Sequence, residues 1–140
     1  MNREDYFLNA LKIIDQLDKY DWSDIPLMSF DHKNIYKILN YYDTRLGQTK
    51  NNELYLGFLE YSYYLNLDEY DNTLLSDYAL IFYTKEINTN NPKLLLFMNS
   101  KEYNTFLMEQ EKSFETYSLS EVIRKISEKE MDVQNIFKDL

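Results

Sequence analysis

His32 is the only histidine in the chain, and there is no cysteine. A lone histidine cannot build a multi-histidine metal site, and no thiolate is available to complete one or to act as a nucleophile. His32 follows Asp31 at a helix start, where it reads as a capping-turn residue. The run Asp68-Glu69-Tyr70-Asp71-Asn72 invites a calcium reading. It fails the EF-hand pattern: Tyr70 occupies the third position, Thr73 the sixth where glycine is needed, and Ala79 the twelfth where glutamate is needed. It reads instead as a loop of solvated carboxylates. Paired carboxylates could serve glycoside hydrolysis, but with 24 acids some pair always falls at a workable spacing, and nothing selects one. Phosphate cradles and dinucleotide fingerprints need clustered glycines, and only Gly47 and Gly57 occur. No catalytic residue, metal site or cofactor is expected, and the chain does not read as an enzyme.

What remains is a surface. The formal charge is −9, with uneven placement. Residues 1–50 carry eight acids against seven bases, and residues 85–140 carry ten against eight. Residues 51–84 carry Glu53, Glu60, Asp68, Glu69, Asp71 and Asp77 with no lysine or arginine. Seven of the fourteen tyrosines lie in the same stretch: Tyr55, Tyr61, Tyr63, Tyr64, Tyr70, Tyr78 and Tyr83. Carboxylates steer a basic partner and raise its association rate. Tyrosine adds rigid contact area and a hydroxyl at low entropy cost. The bland reading is a solvated acidic face with tyrosine in place of phenylalanine. The binding reading selects Tyr55, Glu60, Tyr63, Tyr64, Asp68, Glu69, Tyr70 and Asp71 as contact residues for a basic protein. Direct nucleic-acid binding is disfavoured, because no strongly basic face is present. Trp22, between Asp21 and Asp24, either packs beneath its loop or meets a partner.

The elements that would hold these residues follow from periodicity. Residues 2–19 read as an amphipathic helix with Phe7, Ala10, Leu11, Ile14 and Leu17 inward and Asn2 as its cap. A second helix is expected after Asp31, with Ile35, Ile38, Leu39, Tyr42 and Leu46 inward and Gly47 at its end. A third is expected over 52–65, with Leu54, Phe58, Tyr61 and Leu65 inward. Residues 78–87 and 93–98 then read as a β-hairpin across Asn88-Thr89-Asn90-Asn91-Pro92. Asn99 opens a short helix running to Lys112, Phe114–Tyr117 is a third strand, and Ser118 caps a last helix from Leu119. Val133, Ile136, Phe137 and Leu140 extend its apolar stripe. The expectation is one α+β domain over 1–140: N-terminal helices, then a small, mainly antiparallel sheet with two further helices.

A chain of 140 residues with 44% apolar content can bury a core of its own. It has no run long enough to span a bilayer and no signal-peptide pattern at its start, so a cytoplasmic location is the expectation. In size, acidity and lack of catalytic motifs the chain resembles bacterial immunity proteins of polymorphic or contact-dependent toxin systems. The resemblance implies a protein that neutralises a basic toxin such as a nuclease. A phage-encoded antagonist of a host defence nuclease, acting by nucleic-acid mimicry, would use the same electrostatics. A small-ligand or adaptor domain, working through an apolar cleft, is the third reading.

Overall fold

The computed structural model describes residues 1–26, 35–68, 71–89, 91–111 and 116–131, with backbone alone at 66–68, 71–72 and 130–131. The class is α+β, as expected. The order is α1 (Arg3–Ile14), a 3-10 turn (Leu17–Lys19), β1 (Lys37–Gln48), β2 (Asn52–Asp68), β3 (Asp71–Glu86), β4 (Pro92–Asn99), α2 (Ser100–Glu109) and α3 (Leu119–Met131). The four strands form an antiparallel meander in the order β1-β2-β3-β4.

Three helix starts follow the sequence closely. Asn2 accepts from the Asp5 amide while the Asp5 side chain accepts from the Asn2 amide, which satisfies two orphan donors of α1. Asn99 and Glu102 repeat this box at α2. Ser118 accepts from the Glu121 amide and opens α3 at Leu119.

The helices expected over 32–47 and 52–65 are instead β1 and β2. Leu54, Phe58, Tyr61 and Leu65 would share one face of a helix, yet as strand residues they divide. Leu54 and Phe58 join the core under the helices, while Tyr61 joins the opposite cluster. The reason is that β2 is central and, over 55–62, largely buried on both faces, so apolar residues fall at every spacing and the period of two is hidden. The expected third strand, Phe114–Tyr117, lies mostly outside the described residues, and Thr116 and Tyr117 are not in a strand. His32 and the 133–140 stripe also lie outside the described residues.

All three helices pack on one face of the sheet. Phe7, Ala10 and Ile14 of α1, Tyr103 and Leu107 of α2, and Leu119, Val122 and Ile126 of α3 meet Leu56, Phe58, Leu80, Phe82 and Met98. Trp22 belongs to this core: it is buried, packs on Phe58, and donates from Nε1 to the Leu17 carbonyl at 3.1 Å. Its reading as a partner contact is thereby overturned. The opposite face buries Tyr41, Tyr55, Leu59, Tyr61, Ala79, Ile81 and Tyr83.

Gly57 sits at the centre of that second face, paired with Asp43 on β1 and Ile81 on β3. A Cβ there would lie 3.0 Å from Ile81 Cγ1 and 3.4 Å from the Tyr42 carbonyl oxygen. Ile81 is fully buried and has little room to yield. Gly57→Ala is therefore expected to cost about 1–3 kcal/mol through overpacking. Urea denaturation measures this, and an unchanged midpoint would show that Ile81 moves aside.

Candidate functional site

The middle strands are much longer than their neighbours. β1 pairs with β2 only as far as Lys37 opposite Ser62, and the Tyr36 amide reaches the Ser62 carbonyl at 2.8 Å. β4 pairs with β3 only from Lys85 to Ala79, because the chain turns into α2 at Ser100. Among the described residues, 63–68 and 71–75 pair only with each other: Tyr63 with Leu75, Tyr64 with Leu74, Leu65 with Thr73, and Asp68 with Asp71. At about 3.4 Å per residue, this two-stranded arm projects about 20 Å beyond the sheet.

A two-stranded ribbon cannot bury its own side chains. Tyr64 is 46% exposed, Leu65 41%, Leu74 50% and Leu75 36%. Tyr64 and Leu74 share one face, where the ring of Tyr36 meets Tyr64 edge-on at 5.0 Å between centroids. Leu65 and Leu75 share the other. Near the base, the Tyr61 hydroxyl donates to Asp77 at 3.4 Å, and burial and then the Asp77 charge hold its phenol well above the usual range. At the far end the register places Asp68 opposite Asp71.

A second cluster lies on the helix-free face. The Asp43 carboxylate is buried and accepts from Tyr83 at 2.6 Å and from Tyr41 at 2.7 Å. Burial raises its pKa, and the two phenols and Lys85 offset this in part. Tyr83 stacks flat on Tyr55 at 4.8 Å, and Tyr55 donates to Glu53 at 2.6 Å. Burial and the Glu53 carboxylate push Tyr55 up to about 12. A carboxylate with a raised pKa is a possible proton donor, but Asp43 is only 2% exposed and both phenols already point at it. The cluster therefore serves the sheet: it joins β1 to β3 across the gap left by Gly57.

A groove of about 1290 Å³ runs between the end of α1, the 3-10 turn and α3. Its wall alternates Asp15, Asp18 and Glu128 with Lys19, Lys125 and Lys129. Lys129 is engaged, donating to the carbonyls of Asp18 and Tyr20 at 3.1 and 2.7 Å. No three potential metal ligands converge among the described residues, and no described helix is long and apolar enough to cross a membrane.

The chain matches no family model, and no curated protein or solved structure is significantly similar to it.

The eight expected contact residues do not form one patch. Tyr63, Tyr64, Asp68 and Asp71 all lie on the arm. Glu69 and Tyr70, which connect its strands in sequence, lie outside the described residues. Glu60 is at the arm's base and accepts from the Asn40 side chain at 2.7 Å; burial first, and then the Glu60 carboxylate, raises the Tyr78 phenol beside it. Tyr55 is not an exposed contact: it is buried at the other end of the sheet, under Lys85. A helix over 52–65 would bring it within about 12–14 Å of Tyr63 and Tyr64, whereas eight or nine strand residues separate them by about 25–30 Å. Leu65, Leu74, Leu75 and Tyr36 were missed. The signal for the three leucines was their place on either side of the acidic run 68–71, among Asn, Thr and Ser, and Tyr36 gave none.

Proposed function

We propose that the protein is an acidic binding protein that neutralises a basic protein partner, acting as an immunity-type inhibitor of a toxin such as a nuclease, and that the β2–β3 arm makes the contact. One observation carries the reading: the arm combines exposed Tyr64, Leu65, Leu74 and Leu75 with carboxylates and contains no lysine or arginine. Exposed apolar side chains on a projecting ribbon lower solubility unless a partner covers them. The carboxylates favour a partner of positive charge.

The supporting charge is narrower than the 51–84 segment. Glu53 sits about 50 Å along β2 from Asp68 at about 3.3 Å per residue, and Arg45, 4.0 Å away, faces it. The steering charge therefore belongs to the arm.

The test is growth of cells expressing the product of the neighbouring gene in the native genome. Co-expression of this chain should restore growth. The Asp68→Lys/Glu69→Lys/Asp71→Lys variant should not, while keeping its thermal midpoint. Full rescue by that variant removes the arm from the reading, and a harmless neighbour removes the toxin.

A further inference from the structure

Resting on that reading, we infer that the arm captures its partner by strand addition: the outer edge of β3, at Asn72, Leu74 and Ser76, pairs with an extended segment of basic and apolar residues. The first support is the direction of the backbone groups. The Tyr78 carbonyl faces the β4 side, where it accepts from the Ser100 hydroxyl at 3.4 Å, and the Tyr78 amide is taken by the Asp77 side chain at 2.7 Å. Side chains thus close the edge at the point where β4 ends. The amide and carbonyl of one strand residue face the same side, and the direction reverses at each residue. The β2–β3 register runs without a shift from Tyr78 to Asn72. Ser76, Leu74 and Asn72 therefore present their amides and carbonyls outward, and no described residue pairs with them.

The second support is the chemistry beside that edge. An open strand edge is a template for any extended chain, including another copy of itself. Here the edge carries Asp71 and Asp77, with Asp68 across the ladder, and no base. Two such arms would bring like charges together, which is costly. A lysine- or arginine-bearing strand would place opposite charges at those positions, while its apolar side chains cover Leu74 on one face and Leu75 on the other. The β2 edge is the weaker candidate, because the chain at Tyr36 already bonds to it at Ser62.

The probe is a capped octapeptide alternating lysine and valine, with a glutamate–valine octapeptide as its control, each added to the intact protein at millimolar concentration. The basic peptide should slow amide hydrogen exchange at Asn72, Leu74 and Ser76, and the acidic one should not. N-methylation of alternate peptide amides keeps charge and side chains but removes donors, and should weaken binding about tenfold or more. Ser76→Pro deletes one outward amide and no β2–β3 ladder bond, so it should weaken binding comparably with the arm intact. Absence of protection at these three amides, or indifference to both N-methylation and Ser76→Pro, overturns strand addition. If growth rescue still depends on the tip carboxylates, the inhibitor reading survives without it. Equal protection by the acidic peptide overturns the charge argument as well, and with it the basic partner.

Discussion

Asp43→Ala is expected to lower folding stability by about 2–4 kcal/mol, because two buried phenols lose their common acceptor. Tyr41 and Tyr83 donate to the same carboxylate oxygen, and both are buried. With the carboxylate gone they can at best bond to each other, which leaves one donor unpaired. Asp43→Asn keeps an acceptor and should cost clearly less. The pair of variants also separates packing from charge. Burial holds the Asp43 carboxyl above its ordinary value in the folded state. A raised pKa means that the folded protein binds the proton more tightly than the unfolded chain. The contribution of Asp43 is thus fully present below the ordinary carboxylate range and is lost as pH rises through the folded value. Tyr41 and Tyr83 are also raised, first by burial and then by Asp43. Their contribution persists to pH about 10 and is lost only at higher pH. Urea midpoints compared between mildly acidic and neutral pH should therefore show a slope in the native protein that Asp43→Asn reduces. An identical pH slope in both proteins would mean that Asp43 does not titrate in that window.

The largest kinetic effect should come from the arm's tip. In Asp68→Lys/Glu69→Lys/Asp71→Lys three negative charges become three positive ones at the end of a projecting ribbon. Association with the partner identified by growth rescue should slow by about 10–100-fold at low ionic strength. The slowing should shrink steeply between about 20 and 300 mM salt, since exposed charges are screened over about 10 Å at 0.1 M. Dissociation should change less, because Tyr64, Leu65, Leu74 and Leu75 remain. Stopped-flow measurements across that salt range test both parts. A defect that persists at high salt would assign the loss to a deformed tip and not to steering. Glu60 is left out because Asn40 holds it within the sheet.

The helices were legible because their signals are local. Asn2 with Asp5, Asn99 with Glu102, and Ser118 with Glu121 each announce a start within four residues, and a one-sided stripe follows each. The hairpin at 78–99 was legible from its asparagine-rich turn. β1 and β2 were not. Tyr55 to Tyr61 is largely apolar or aromatic because both faces of this part of β2 are covered, so matches at i+3 and i+4 arise without a helix. The site was half legible for the same reason. Charge and tyrosine content marked the segment that contains the arm, and Tyr63, Tyr64, Asp68 and Asp71 lie on it. Extended geometry then carried Tyr55 to the far end of the sheet. Only pairing could reveal that β1 and β4 stop short, and pairing is a long-range property that no local pattern records.

The placement of the helices bears on how the chain assembles. Each strand pairs with its neighbour in sequence, so the meander can zip hairpin by hairpin with short loop closures. The N-terminal helix cannot share that speed. Many of its contacts are with chain made about a hundred residues later: Arg3 pairs with Glu102, the Gln110 side chain donates to Glu4, and Phe7 packs on Tyr103 and Phe106. During synthesis the sheet is therefore complete before two of its three covering helices exist. Until α2 and α3 emerge, only α1 and Trp22 are available to cover Leu56, Phe58, Leu80 and Phe82, which makes the interval after Asn99 the one in which a nascent chain is most open to aggregation.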